Sequence, residues 1–243
     1  MFMKKFFFYM FAAVSAFAFF SCDPAESSFT QTVYVYDIYT VNKHTVRPEF
    51  EDTAFMVQNM AQYPLQTGDR AYMVLKYFYD AESVKYPQWT IEKVLDIIPT
   101  RPLQAKDSVA FEGFTTPFVT LDYFEVHDRY YNPVWVRNNL QNINITYNGI
   151  ADGAEFAMLV RGVVDNYVEL ELLAKAKTIG AVKTTKLLTF DLSKLGDFLT
   201  AEQKRTLSGV DSLYTRIHFR RAVKDSIYEA NIIGGSLANP FKK

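Results

Sequence analysis

The chain has 243 residues, 26 basic and 27 acidic side chains, and a formal charge of −1. This near-neutral balance supplies no basic field for nucleic acid, so no nucleic-acid partner is expected. A single cysteine excludes an internal disulfide framework.

The N-terminus carries the clearest signal. Lys4 and Lys5 form a short positive region, and Phe6 to Phe20 is an uncharged apolar run. Its length matches the ~7–15 residues of a signal-peptide core and falls short of the ~20 needed to span a bilayer. Ser21-Cys22 follows directly. A small residue before cysteine at this place is similar to a lipobox, although Phe19 stands where many lipoboxes carry leucine. Residues 1–21 are therefore read as a lipoprotein signal peptide and Cys22 as the lipidated first residue of the mature chain. Residues 22–28, with Asp23, Pro24, Glu26 and Ser27, read as a tether. Removing the signal takes two lysines and no acid, leaving 24 basic (26 less 2) against 27 acidic side chains, a charge of −3.

Strand patterns dominate the rest of the chain. Thr32–Val41 is rich in Tyr and Val. Gln66-Thr67-Gly68-Asp69 is a turn leading into Arg70–Asp80 (RAYMVLKYFYD), apolar on both sides as in a small barrel. Trp89–Ile98 reads as another strand, and Pro99, Arg101 and Pro102 interrupt it. Gln104–Pro117 is mostly polar or turn-forming, and the domain boundary is set there.

Phe118–Val126 is read as one strand. Ile143, Ile145 and Tyr147 alternate with Asn142, Asn144 and Thr146, and Asn148-Gly149 closes that segment. Glu155–Val164 and Tyr167–Lys177 flank Asp165-Asn166 as a two-residue hairpin. Its second arm points Val168, Leu170, Leu172, Ala174 and Ala176 one way. Glu169, Glu171, Lys175 and Lys177 point the other, with Leu173 the exception, which predicts a solvated, charge-balanced face. Leu188, Phe190 and Leu192 repeat the theme. Thr200-Ala201-Glu202-Gln203 predicts a capped helix to about Leu207, and Leu213–Arg220 and Ile227–Ile233 supply the last strands. The expected class is all-β.

The order of segments resembles the NigD-like lipoproteins of Bacteroidetes-type cell envelopes. The resemblance rests on the lipobox and tether, and on Gly68-Asp69-Arg70 leading to Tyr77-Phe78-Tyr79. It continues through VLDIIPT (94–100), NNLQNINITY (138–147) and LTFDLSKL (188–195). It implies an N-terminal OB-like barrel over about 29–103 and a C-terminal β-sandwich over about 104–243. No catalytic signature comes with it.

Chemical motifs are few. The three histidines, His44, His127 and His218, share no metal-ligand spacing. Asp122, Glu125, His127 and Asp128 form the best local cluster, most simply a solvated strand end. Glu169 and Glu171 have a spacing compatible with glycoside hydrolysis, but the face they occupy reads as solvated. No metal or cofactor is expected.

Tyr123, Phe124, Tyr130, Tyr131 and Trp135 crowd a segment read as a loop between strands. Of these, Tyr123, Tyr130, Tyr131 and Trp135 are the candidate binding residues, against the plainer reading that they fill the core. The sequence thus predicts a non-enzymatic lipoprotein of the envelope, held at the outer membrane by acyl chains on Cys22, that binds or scaffolds an envelope protein or a glycan. The alternatives are a glycan-acting hydrolase and a bacteriocin-associated accessory lipoprotein.

Overall fold

The computed structural model describes residues 27–40, 44–49, 53–79, 88–106, 109–121, 124–126, 129–179 and 182–242. The signal segment, Cys22 and most of the tether lie outside the described residues. The fold is all-β, as expected, with an OB-like barrel followed by a sandwich.

The barrel uses five strands: β1 (Ser27–Thr40), β2 (Thr45–Pro48), β3 (Phe55–Met56), β4 (Arg70–Tyr79) and β5 (Gln88–Ile98), in the order β3-β2-β1-β4-β5. Just past β3, Val57 forms a parallel bridge with Trp89 of β5, and Gln58 N donates to Trp89 O at 2.9 Å. Asn59 prolongs the closure with its side chain. Its Nδ2 donates to Ile91 O (2.7 Å) and its Oδ1 accepts from Ile91 N (2.6 Å). The result is a five-stranded, partly open Greek-key barrel. Register shifts in β1–β4 and β4–β5 supply the curvature. Alternation sends Ala71, Met73 and Leu75 inward, and Met60 of the 3₁₀ turn Met60–Gln62 is buried with them.

At Pro99 the chain changes sheet. β6 (Thr100–Pro102) and β7 (Gln104–Ala105) already belong to the second one, with β8 (Phe118–Leu121), β11 (Val134–Arg137), β12 (Leu140–Asn148), β13 (Glu155–Val164), β14 (Tyr167–Lys175), β15 (Lys183–Asp191), β16 (Ser212–Val223) and β17 (Ser226–Ala238). Its order is β6-β15-β12-β8-β16-β14-β13-β7, with β11 on β12 and β17 on β16. β8 joins the halves, pairing with β12 on one side and, through Phe118 and Arg221, with β16 on the other. The sheet folds over Ile143, Ile145, Tyr147, Val168, Leu170, Phe190, Leu213 and Ile217, all at most 1% exposed. Burying each such side chain stabilises the fold by about 1.5–3 kcal/mol.

Several local expectations hold. The Asp165-Asn166 hairpin joins β13 and β14, with Asp165 at φ 55°. The helix α1 spans Ala201–Leu207 with a complete capping box. Gln203 N donates to Thr200 Oγ1 (3.2 Å), and Thr200 N donates to Gln203 Oε1 (2.8 Å).

Two expectations are corrected. Phe118–Val126 is not one strand: β8 ends at Leu121, and β9 (Phe124–Val126) pairs instead with β10 (Arg129–Tyr131). The segment carrying Tyr130, Tyr131 and Trp135 is not a loop, because Tyr130 and Tyr131 lie on β10 and Trp135 lies on β11. The signal missed there is Asn138-Asn139, whose φ of 50° and 60° fit a tight hairpin turn between β11 and β12.

Candidate functional site

β12 sits between the two cores. One face sends Ile143, Ile145 and Tyr147 into the sandwich. The other presents Asn142, Asn144 and Thr146, paired across β15 with Thr189, Leu187 and Thr185. That second face meets the barrel: Leu187, on the sandwich strand β15, packs into the barrel core, and Trp135 packs against the same cluster. This explains why β12 is buried from Gln141 to Tyr147 although every second residue is polar.

Buried polar groups need partners, and these form a network across the junction. Arg70, at the start of β4, pairs with Glu49. It also donates through Nη1 to Asn142 Oδ1 (2.6 Å) and Thr189 Oγ1 (2.7 Å). Glu49 Oε1 accepts from Trp135 Nε1 (2.9 Å) and Asn142 Nδ2 (3.2 Å). Glu49, Arg70, Asn142 and Thr189 are each at most 3% exposed. The barrel is therefore latched to the sandwich by charge-assisted hydrogen bonds in a site shielded from water.

Beside the latch runs a groove of about 700 Å³. Its barrel wall is Tyr72, Leu95, Asp96 and Ile98; its sandwich wall includes Asn144, Thr184, Thr185 and Lys186. Leu95 is 40% exposed. Apolar surface with a few polar groups of both signs, set between two folded units, is the usual build of a ligand site.

A second constellation lies on the outer face of the sandwich. The cross-strand row Gly162, Glu169, Arg216 comes from β13, β14 and β16. Glu169 is not on a solvated face as predicted; it is 6% exposed. Its Oε1 accepts from Arg216 Nη1 (2.8 Å) and its Oε2 meets His218 Nε2 (2.5 Å). Glu171 pairs with Arg161 Nε at 2.9 Å. The guanidinium of Arg216 lies over the Tyr167 ring, 4.1 Å from its centre. Arg161, Gly162, Glu169, Arg216 and His218, with Gln203 of α1 and Val163–Val164, line an open bowl of about 430 Å³. Strand alternation placed both glutamates on one face; it held no information on the cations that the neighbouring strands bring.

Of the predicted binding aromatics, Tyr123 lies outside the described residues. Tyr130 and Tyr131 are described by backbone alone, on β10. Trp135 is half-buried in the latch. Glu125 lies on β9, while Asp122, His127 and Asp128 lie outside the described residues. Among the described residues no group of three or more His, Cys, Asp or Glu side chains could hold a metal ion. No helix among them is long and apolar enough to cross a membrane. Glu49 and Arg70 were missed as functional positions, because nothing local marks an arginine opening a strand as an anchor for residues far along the chain.

No protein-family model and no curated protein matches the chain. Solved structures do. A NigD-like immunity protein from Bacteroides caccae superposes with a TM-score of 0.56 at 11% identity, over 84% of this chain and 98% of that one. A candidate lipoprotein from Bacteroides fragilis gives 0.57 at 13% identity, over 88% and 98%. An uncharacterised protein from Parabacteroides merdae gives 0.50 at 11% identity, over 86% and 99%. The likeness runs through barrel and sandwich together, so the two-part fold implied by the resemblance to NigD-like lipoproteins is shared with these structures.

Proposed function

We propose that this chain is a non-enzymatic, NigD-like lipoprotein of the cell envelope, anchored at the outer membrane through acyl chains on Cys22. It uses the groove between β5 and β15 to bind another envelope or extracellular component. The observation that carries this reading is the groove itself, whose walls belong to two cores locked by the Arg70–Glu49–Asn142 network. A site between units that cannot swing apart keeps its shape and avoids an ordering cost on binding. The lipobox and the fold shared with a candidate lipoprotein support the anchoring.

The hydrolase alternative finds less support. Glycoside hydrolysis asks one carboxylic acid to give a proton to the leaving oxygen. Both oxygens of Glu169 are already engaged, Oε1 accepting from Arg216 Nη1 and Oε2 in contact with His218 Nε2. The bacteriocin-associated alternative is supported by the description of one structural neighbour as an immunity protein.

A photoreactive residue in place of Leu95, compared with one at Ile227, which is 51% exposed near the β16–β17 turn, tests the groove in intact cells. An adduct at Leu95 that Lys186→Trp suppresses is expected. No adduct at Leu95, or equal labelling at Ile227, would overturn the groove as the binding surface.

A further inference from the structure

We propose that the bowl on the outer face of the sandwich binds a carboxylate-bearing sugar of the uronic-acid type. This site is separate from the groove and goes beyond the reading above.

Several hydrogen-bonding groups around the bowl are already engaged. Glu169 forms the floor, and both its oxygens are taken by Arg216 and His218. Arg161 uses Nε on Glu171, and its Nη2 lies a loose 4.0 Å from the exposed Glu229. Arg216 uses Nη1 on Glu169, and its guanidinium lies over the Tyr167 ring, 4.1 Å from the ring centre. Gln203 commits its Oε1 to the helix cap, which leaves its amide nitrogen as the group over Gly162. A Cβ built on Gly162 would come within 3.0 Å of that Nε2. The bowl therefore presents more donors than acceptors, two of them guanidinium edges.

A planar carboxylate is the ligand that two guanidinium edges and an amide NH₂ recognise best.

The strand arrangement then selects among carboxylates. β14 is paired on both edges, by β13 and β16, and β16 is paired by β14 and β17. The two strands that carry Glu169, Arg216 and His218 thus offer no open backbone edge to an extended acidic peptide. The rim of the bowl is instead apolar and half open. Val164 on that rim is 51% exposed, and on the neighbouring surface Tyr214 is 38% exposed, with its ring 5.9 Å from that of Tyr167. A rigid sugar ring can rest on such a rim while its carboxylate faces Arg161 and Arg216. The volume of about 430 Å³ lies within the ordinary range for small-ligand sites.

The test titrates the mature protein by calorimetry with a galacturonic-acid oligomer, the matched neutral galactose oligomer, and acetate. On the wild type, the Nε–Hε NMR signals of Arg161 and Arg216 are followed at the same time. The acidic oligomer is expected to bind and to shift both arginine signals, with the neutral oligomer at least about tenfold weaker. Arg161→Ala and Arg216→Gln should each weaken the acidic oligomer by about tenfold or more. Thermal melting checks that each variant is folded, and Arg161→Ala serves if Arg216→Gln is not, because Arg161 is no partner of the buried Glu169. Equal binding of the neutral oligomer, acetate matching the oligomer (an adventitious ion only), or arginine signals that stay still would each overturn the proposal.

Discussion

Trp135 Nε1 donates to Glu49 Oε1 across 2.9 Å, joining residues 86 positions apart and tying a sandwich strand to the barrel. Glu49 is only 2% exposed, so its charge is neutralised inside the protein by Arg70 and not by water. Removing one member of such a pair strands the other in a poorly solvated site, typically at 3–5 kcal/mol.

Arg70→Met is therefore expected to destabilise the fold by about 3–5 kcal/mol, and Trp135→Phe, which removes one hydrogen bond to a charged group, by about 1–3 kcal/mol. Urea unfolding of both and of the double variant checks this. Because both side chains meet at Glu49, their effects should not add. Strict additivity would mean that the latch is not one network.

Gly234 lies at the bulge where β17 shifts register against β16. A Cβ there would collide with Thr215 Oγ1 and sit 2.8 Å from Gln141 Oε1. Those two atoms are held by their own 2.7 Å hydrogen bond, and Gln141 also donates to Gly234 O. Gly234→Ala should cost about 1–3 kcal/mol. Gly209→Ala, where nothing lies within 4 Å, should stay within about 0.5 kcal/mol of the wild type. The pair of melting curves separates a packing clash from a general effect of glycine replacement.

Tyr147 is fully buried, and this burial raises its pKa above the usual 10.0, with the nearby Thr184 side chain acting in the opposite direction. Below pH 10 the phenol is neutral in both folded and unfolded chains, and stability is unaffected. Above it the unfolded chain releases a proton that the folded chain retains. Stability therefore falls as pH rises from about 10 towards the folded value. Tyr147→Phe should remove this part of the slope. Denaturation series at pH 8 and pH 10.5 check it, and identical slopes in both proteins would contradict it.

Cys22→Ala should abolish acylation and move the protein from the detergent phase to the aqueous phase on temperature-induced phase separation. Protease treatment of intact cells making the wild type then reports orientation. Cleavage on whole cells places the protein on the cell surface, whereas survival until the outer membrane is broken places it in the periplasm.

Much of the fold was legible locally. Period-two alternation predicted β14 with Val168, Leu170 and Leu172 inward, Asp165-Asn166 predicted its hairpin, and Thr200 with Gln203 predicted the start of α1. Each of these signals spans about ten residues or fewer, and each acts through backbone geometry and capping that neighbours in sequence decide. The division of Phe118–Val126 was not legible. That stretch keeps a strand-like composition while the strand it pairs with changes, and pairing partners are not encoded within the segment itself.

The candidate sites divide along the same line. Alternation determined that Asn142 and Asn144 oppose Ile143 and Ile145, and that Glu169 and Glu171 share a face. What lies above those faces was decided by tertiary structure. For Asn142 it is Arg70, 72 positions away. For Glu169 it is Arg216 and His218, 47 and 49 positions away on a parallel neighbour. A polar residue on a strand is solvated or buried according to whether a partner arrives to replace its water. In this chain the partners come from the other half of the barrel–sandwich junction and from the next strand of the folded-over sheet.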